Sequence, residues 1–122
     1  MLMNEVRFAA RPAIDAYGAG GFRIGGQAHA GPVLLLPRGV AHWAPAAPLG
    51  PACFAAVLAE AGQIDILLVG AGADVAPLPP ATLAALEGAG LGVEVMATPA
   101  ACRTFNVLLA EERRVAAALL PL

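Results

Sequence analysis

The stretch Ile64-Asp65-Ile66-Leu67-Leu68-Val69-Gly70-Ala71-Gly72-Ala73-Asp74 decides the fold class of this 122-residue chain. Ile64 to Val69 is almost continuously apolar, the signature of a strand covered on both faces, as parallel strands are. The glycines that follow mark a tight exit. A second such run, Gly92-Val93-Glu94-Val95-Met96, lies downstream. Between the two, Pro80 opens a helix that carries Leu83 and Leu86 and ends around Gly88 to Gly90. Upstream, Pro51 suits a first helical turn, and Phe54, Val57, Leu58 and Ala61 recur at helical spacing until Gly62. Downstream, Thr98 reads as an N-cap with Pro99 at the first helical position, and Ala101, Phe105, Leu108 and Leu109 share one apolar face. After them Val115, Ala117 and Leu119 alternate, as a strand or as a helical extension, and a turn at Glu112-Arg113 favours the strand. Strands alternating with helices in this way make an α/β core.

Before Pro45 the pattern changes to short extended pieces. Val6-Arg7-Phe8 and Ala13 to Tyr17 are broken by Arg11-Pro12, and Gly18-Ala19-Gly20-Gly21 ends the second of them. Phe22-Arg23-Ile24 and Gln27-Ala28-His29 flank Gly25-Gly26, a two-residue turn suited to positive φ and hence a hairpin. Val33-Leu34-Leu35-Leu36 is an apolar run closed by Pro37-Arg38-Gly39, and Val40 to Trp43 adds one more extended piece. The expectation is one compact domain over residues 1–122. Residues 1–44 form a mainly β subdomain and residues 45–122 the α/β core, giving a mixed sheet with flanking helices and an added N-terminal β layer.

Composition narrows the function classes. Hydrophobic residues make up 59% of the chain and charged residues 13%, about half the usual share of roughly 25% in soluble domains. Seven basic and nine acidic residues nearly balance, so no basic surface is available to displace counterions from nucleic acid. The basic residues are all Arg, and the absence of Ser excludes a serine nucleophile. The mean hydropathy of +0.73 invites a membrane reading. The longest uncharged stretch, Gly39 to Ala59, contains Pro45, Pro48 and Pro51, which a spanning helix would not tolerate. The opening Met1-Leu2-Met3-Asn4-Glu5-Val6-Arg7 lacks the basic and apolar regions of a signal peptide, so a cytoplasmic location is expected. Cys53 and Cys102 stand in no disulfide framework and are expected as reduced thiols. With so few charges, some apolar surface stays uncovered, which points to self-association or a protein partner.

Candidate sites are few. Gly70-Ala71-Gly72 follows a strand, where phosphate-cradling loops occur. However, Val75 stands where a dinucleotide fingerprint needs its third glycine, and no Lys is present for a Walker-type loop. Thr98 and Pro99 place Cys102 and Arg103 near a helix N-terminus, where free amides favour anions and would lower a thiol pKa. Arg103 and Asn106 share one helical face. If the two apolar strands are parallel neighbours, the Gly70–Asp74 turn and the Thr98 cap face each other across a crevice at their carboxyl ends. Gly70, Gly72, Thr98, Cys102, Arg103 and Asn106 are therefore the candidate ligand-binding residues. A base for Cys102 is lacking, since His29 and His42 both lie in the β region. Those histidines together with Cys53 and Cys102 match no zinc spacing, so no metal site is expected. Trp43 is either a core plug beneath the Pro-rich loop or an exposed interface anchor. No carboxylate pair is spaced for acid–base work, and Glu111-Glu112 beside Arg113-Arg114 reads as a solvated turn.

Several segments in order carry a resemblance. The first half has Ile14-Asp15-Ala16-Tyr17-Gly18, Gly21-Phe22-Arg23-Ile24-Gly25, Leu34-Leu35-Leu36-Pro37, Gly39-Val40 and Trp43. The second half has Leu67 to Gly72, Gly90 to Met96, Ala101-Cys102-Arg103-Thr104-Phe105-Asn106, Glu111 and Val115 to Leu119. Together they resemble the small domain-of-unknown-function family that includes the mitochondrial complex I assembly factor 3. The resemblance implies a compact α/β fold with an added β layer and brings no established catalytic residue, and no cofactor is expected. It also implies a protein partner in the building of a membrane respiratory complex. Two positions depart from the family pattern: Gly-Thr-Gly becomes Gly70-Ala71-Gly72, and the Glu-Gly-Arg turn becomes Glu111-Glu112-Arg113. Two functional expectations result. One is a non-catalytic interaction protein that supports assembly or insertion of membrane complexes, working at the cytoplasmic face in peripheral association with the inner membrane. The other is a small-molecule or anion binder, or an enzyme, that uses the crevice between Gly70–Asp74 and Thr98–Asn106.

Overall fold

Alternation of side chains along each strand sorts the apolar residues onto the two faces of one central sheet. The computed structural model describes residues 11–122, so the Val6–Phe8 segment lies outside the described residues. The order of elements is β1 (Ile14–Tyr17), β2 (Gly21–Ile24), β3 (Gln27–Ala30), β4 (Val33–Leu36) and β5 (Gly39–His42), then a 3-10 turn (Pro51–Phe54), α1 (Ala55–Ala59) and a second 3-10 turn (Ala61–Gln63). β6 (Ile66–Ala71), α2 (Pro80–Gly88), β7 (Gly92–Met96), α3 (Thr98–Ala110) and β8 (Val115–Leu120) complete it. No helix among the described residues is long and apolar enough to cross a membrane.

β4 to β8 form a five-stranded mixed sheet in the order β5-β4-β8-β6-β7. β6 runs parallel to both β7 and β8, and β4 is antiparallel to β5 and β8. The tail is therefore a strand, and it occupies the centre of the sheet. Val115 to Leu119 are all buried, and three of them are Ala, whose small side chains let layers on both faces come close. On one face Leu34, Leu36, Leu67, Val69, Ala116 and Ala118 pack with Trp43, Phe54, Val57 and Leu86. On the other, Val33, Leu35, Leu68, Ala117 and Leu119 pack with Ala101, Cys102 and Phe105 of α3 and with Ile14, Phe22 and Ile24 of the second sheet. That second sheet is antiparallel, in the order β1-β2-β3, and Gly25 and Gly26 hold its hairpin turn at φ of 57° and 82°. The separate β layer thus comprises β1 to β3 alone. β4 and β5, although part of the mainly β first third, belong to the central sheet.

Three local expectations are corrected. The segment from Pro51 to Gly62 is not one helix but a single α-turn between two 3-10 turns. Trp43 Nε1 donates to the Cys53 carbonyl at 2.7 Å and so occupies an acceptor that a continuous helix would use. β6 begins at Ile66, with Ile64 buried just ahead of it. Thr98 is the first residue of α3 rather than its cap, a position held by Ala97 without a side-chain hydrogen bond.

Both longer helices end in the same Schellman geometry. After α2, Gly90 adopts φ 94°, its N–H donates to Glu87 O, and Leu91 N–H donates to Leu86 O. After α3, Glu112 N–H donates to Leu109 O and Arg113 N–H to Leu108 O, both at 2.9 Å. Here the left-handed position is filled by Glu112 at φ 61° instead of a glycine.

Candidate functional site

The carboxyl ends of β6 and β7 do open on one edge, because the two strands are parallel and in register from Ile66↔Gly92 to Gly70↔Met96. At that edge the crevice expected between the glycine turn and the start of α3 is closed by direct hydrogen bonds. Thr98 N–H donates to Gly72 O at 2.8 Å, and Gly72 N–H donates to Thr98 Oγ1 at 2.9 Å. Thr98 Oγ1 in turn donates to Leu120 O at 2.6 Å. A fully buried hydroxyl thus ties together β6, β8 and α3, using both its donor and an acceptor. Removing the side chain at Gly70 is what permits this approach. A Cβ there would stand 2.8 Å from Leu119 Cδ2, 3.0 Å from Thr98 Oγ1 and 3.3 Å from Ala101 Cβ. The glycines are packing residues, and the phosphate-cradle reading of Gly70 and Gly72 has no open loop to rest on.

Cys102 is buried in the core between α3 and the central sheet. Burial raises its thiol to a pKa of about 11, and the nearby Arg103 charge only partly offsets that. The direction is opposite to the lowering expected near a helix N-terminus, because desolvation of the thiolate outweighs the helix amides and the cation. The Asn106 side chain is also committed internally. Its Oδ1 accepts from Ile14 N–H at 2.9 Å and its Nδ2 donates to Ile14 O at 2.8 Å. One amide therefore completes β1 at Ile14 as a neighbouring strand would. Farther along, Leu122 N–H donates to Gly18 O at 3.1 Å, a second tie between the end of the chain and the exit of β1. Arg103, in contrast, is exposed on α3 and makes no ion pair or side-chain hydrogen bond among the described residues. Of the six residues, Gly70, Gly72 and Thr98 meet in this joint, Cys102 lies in the core, Asn106 is bound to β1, and Arg103 stands in solvent.

Trp43 is 4% exposed and packs on Phe54 with ring centroids 5.5 Å apart, so it is a core plug and not an interface anchor. The described residues hold no group of three or more His, Cys, Asp or Glu side chains placed to share a metal ion.

Two features were not legible. Arg11, read only as part of a strand break, donates from Nη1 to Val115 O at 2.7 Å and lies 5.6 Å from the centre of the Phe105 ring. Burial lowers its pKa, and the Glu60 charge acts in the opposite sense. The second is a concavity of about 330 Å³ on the outer face of the three-stranded sheet, floored by Ala16, Gly21, Arg23 and Ala28.

Against known proteins, a family model described as "Protein of unknown function (DUF498/DUF598)" matches residues 14–120. An uncharacterised protein of Rhodobacter capsulatus is 45% identical over 122 residues, covering 100% of this chain and 94% of that protein. NADH dehydrogenase [ubiquinone] 1 alpha subcomplex assembly factor 3 of Mus musculus is 38% identical over 110 residues, covering 88% of this chain. The match spans 60% of the length of that mouse protein. Among solved structures, one described as an outer membrane protein from Bartonella henselae superposes with a TM-score of 0.82 at 40% identity, covering 93% of this chain and 98% of that one.

Proposed function

Because this chain belongs to the DUF498/DUF598 family of proteins of unknown function, we propose that it is a non-catalytic interaction protein that supports assembly of a membrane respiratory complex. Mammalian relatives are named as assembly factors of NADH dehydrogenase, which supports an assembly role at the level of the family. The observation that carries the reading for this chain is the closed joint at the carboxyl edge of the sheet. In open α/β sheets that edge is where ligands usually bind, and here Thr98 uses it to fasten β6, β8 and α3 together. Cys102 and Asn106, the other reactive or polar candidates there, are likewise consumed by the core and by β1. Binding of protein partners by surface contact is what remains for a chain of this composition. The partners are subunits or insertion factors of the complex, met in peripheral association with the membrane from the cytoplasmic side.

The test is deletion of the gene in its own host, followed by native electrophoresis of solubilised membranes stained for NADH dehydrogenase activity. The reading expects loss of the mature complex, accumulation of subcomplexes and rescue by the wild-type chain. In-cell crosslinking of a tagged chain should recover subunits from the membrane fraction. A deletion strain with undiminished, fully assembled complex would overturn the proposal.

A further inference from the structure

We propose that the outer face of the three-stranded sheet is a docking surface for a second copy of this chain. β1 to β3 bury one face, through Ile14, Phe22 and Ile24, against α3 and the central sheet. On the reverse, the register sets Ala16, Arg23 and Ala28 in one cross-strand row and Gly21 beside Ala30. An antiparallel sheet with one solvated face ordinarily turns polar side chains outward. Here the outward row offers two alanines and one arginine, and the floor sinks into the concavity of about 330 Å³. The hollow is built in, since a Cβ at Gly21 would collide with the His29 carbonyl oxygen. Tyr17, 40% exposed, lines the same concavity.

Charge identifies the occupant. Asp15 and Arg23 are both exposed, and both are tethered to Gly26. Asp15 Oδ2 accepts from Gly26 N–H at 2.7 Å, and Arg23 Nη1 donates to Gly26 O at 3.2 Å. Asp15 Oδ1 and the other guanidinium N–H groups have no partner among the described residues. A patch carrying one fixed acid and one fixed base sums to zero, which gives an anionic lipid surface or a nucleic acid nothing to follow. It is self-complementary, however: under a two-fold axis the Arg23 of each copy can meet the Asp15 of the other, as an isologous contact requires. The open edge strand β7 is unsuited to the same purpose, because a two-fold axis at its central residue would set Glu94 against Glu94.

Three strands of four residues span only about 10 Å by 13 Å of sheet plane. That is well below the ~800 Å² per partner of a standard stable interface, so the dimer is weak and concentration-dependent. Sedimentation equilibrium from about 10 µM to about 1 mM reads association in the weak range. The wild-type mass should rise from 12.2 kDa toward twice that value. Asp15→Arg and Arg23→Asp should each stay monomeric, and the double reciprocal swap should restore association. Ala28→Arg, at an exposed position without side-chain bonds, should also abolish it, with thermal melts confirming that every variant is folded. A wild-type mass of 12.2 kDa throughout, a dimer that survives Ala28→Arg, or a double swap that does not recover would each overturn the proposal.

Discussion

Replacing Thr98 by Val tests the claim that the carboxyl edge of the sheet is a fastening and not a site. The two side chains are nearly equal in volume, so the change leaves no cavity, but it deletes a hydroxyl that serves two buried partners. Gly72 N–H, at a buried residue, would lose its acceptor, at a cost of about 1–3 kcal/mol. Leu120 O would lose a donor too, but Leu120 is only half-buried and water can reach its surroundings, so about 0.5–1 kcal/mol is expected from it. The sum is about 1.5–4 kcal/mol, or a drop in Tm of about 6–16 °C for a domain of this size. Thr98→Ser keeps the hydroxyl and removes one methyl, worth about 1 kcal/mol. The ordering is therefore wild type, then Ser, then Val, and it should appear as a fall in the urea midpoint at unchanged m-value. A Val variant within about 0.5 kcal/mol of wild type, or a Ser variant less stable than Val, would refute the hydrogen-bond account of this joint.

Three further outcomes follow from the same structure. Glu112→Gly should stabilise the chain by about 0.5–1 kcal/mol, since the left-handed cost of a side chain at φ 61° is removed and only partly offset by unfolded-state entropy; denaturant titration reads the sign. Asn106→Ala should cost about 2–3 kcal/mol and, in hydrogen exchange, deprotect β1 more than β6 or β8, because both Ile14 backbone groups lose their partner; a uniform loss of protection would contradict this. In native protein at pH 8 a thiol reagent should modify the half-buried Cys53 rapidly and Cys102 only on unfolding. The folded chain holds the Cys102 proton more tightly than the unfolded one. The stability linked to this thiol is thus complete below pH 9.0 and lost as the pH rises toward about 11.

What the sequence could and could not show divides along physical lines. Continuous apolar runs report burial on two faces, and for that reason β4 and β6 are legible one by one, whereas the alternation of Val115, Ala117 and Leu119 fits a strand or a helical extension and only the turn before it favours β8. The partner of each strand is set by long-range pairing that leaves no local mark. The insertion of β8 between β4 and β6, which draws β4 and β5 out of the N-terminal layer, could not be read from either segment. The glycine turn after β6 and the start of α3 do meet, and they meet through hydrogen bonds within the chain. Thr98, Gly70, Gly72 and Asn106 are the residue types that bind ligands at a sheet edge, and they are equally the types that satisfy buried backbone when no ligand is there. Spacing alone cannot separate the two uses.

Distance can separate them, and Asn106 gives the clearest case. A strand at the margin of a sheet needs its free N–H and C=O groups answered, and an Asn side chain carries one donor and one acceptor in the geometry of a peptide group. Bonded at 2.8 and 2.9 Å to both backbone groups of one residue, it has an N–H and an oxygen lone pair left but no freedom to turn them toward a ligand. The same reasoning applies to Thr98, whose hydroxyl hydrogen is already donated. Among the described residues, Arg103 on α3 and Asp15 and Arg23 on the second sheet are exposed groups that keep hydrogen-bonding capacity to spare. The three-stranded sheet, held to the core by Asn106 and backed by Phe22 and Ile24, presents its outer face rigidly, as the proposed contact with a second copy requires.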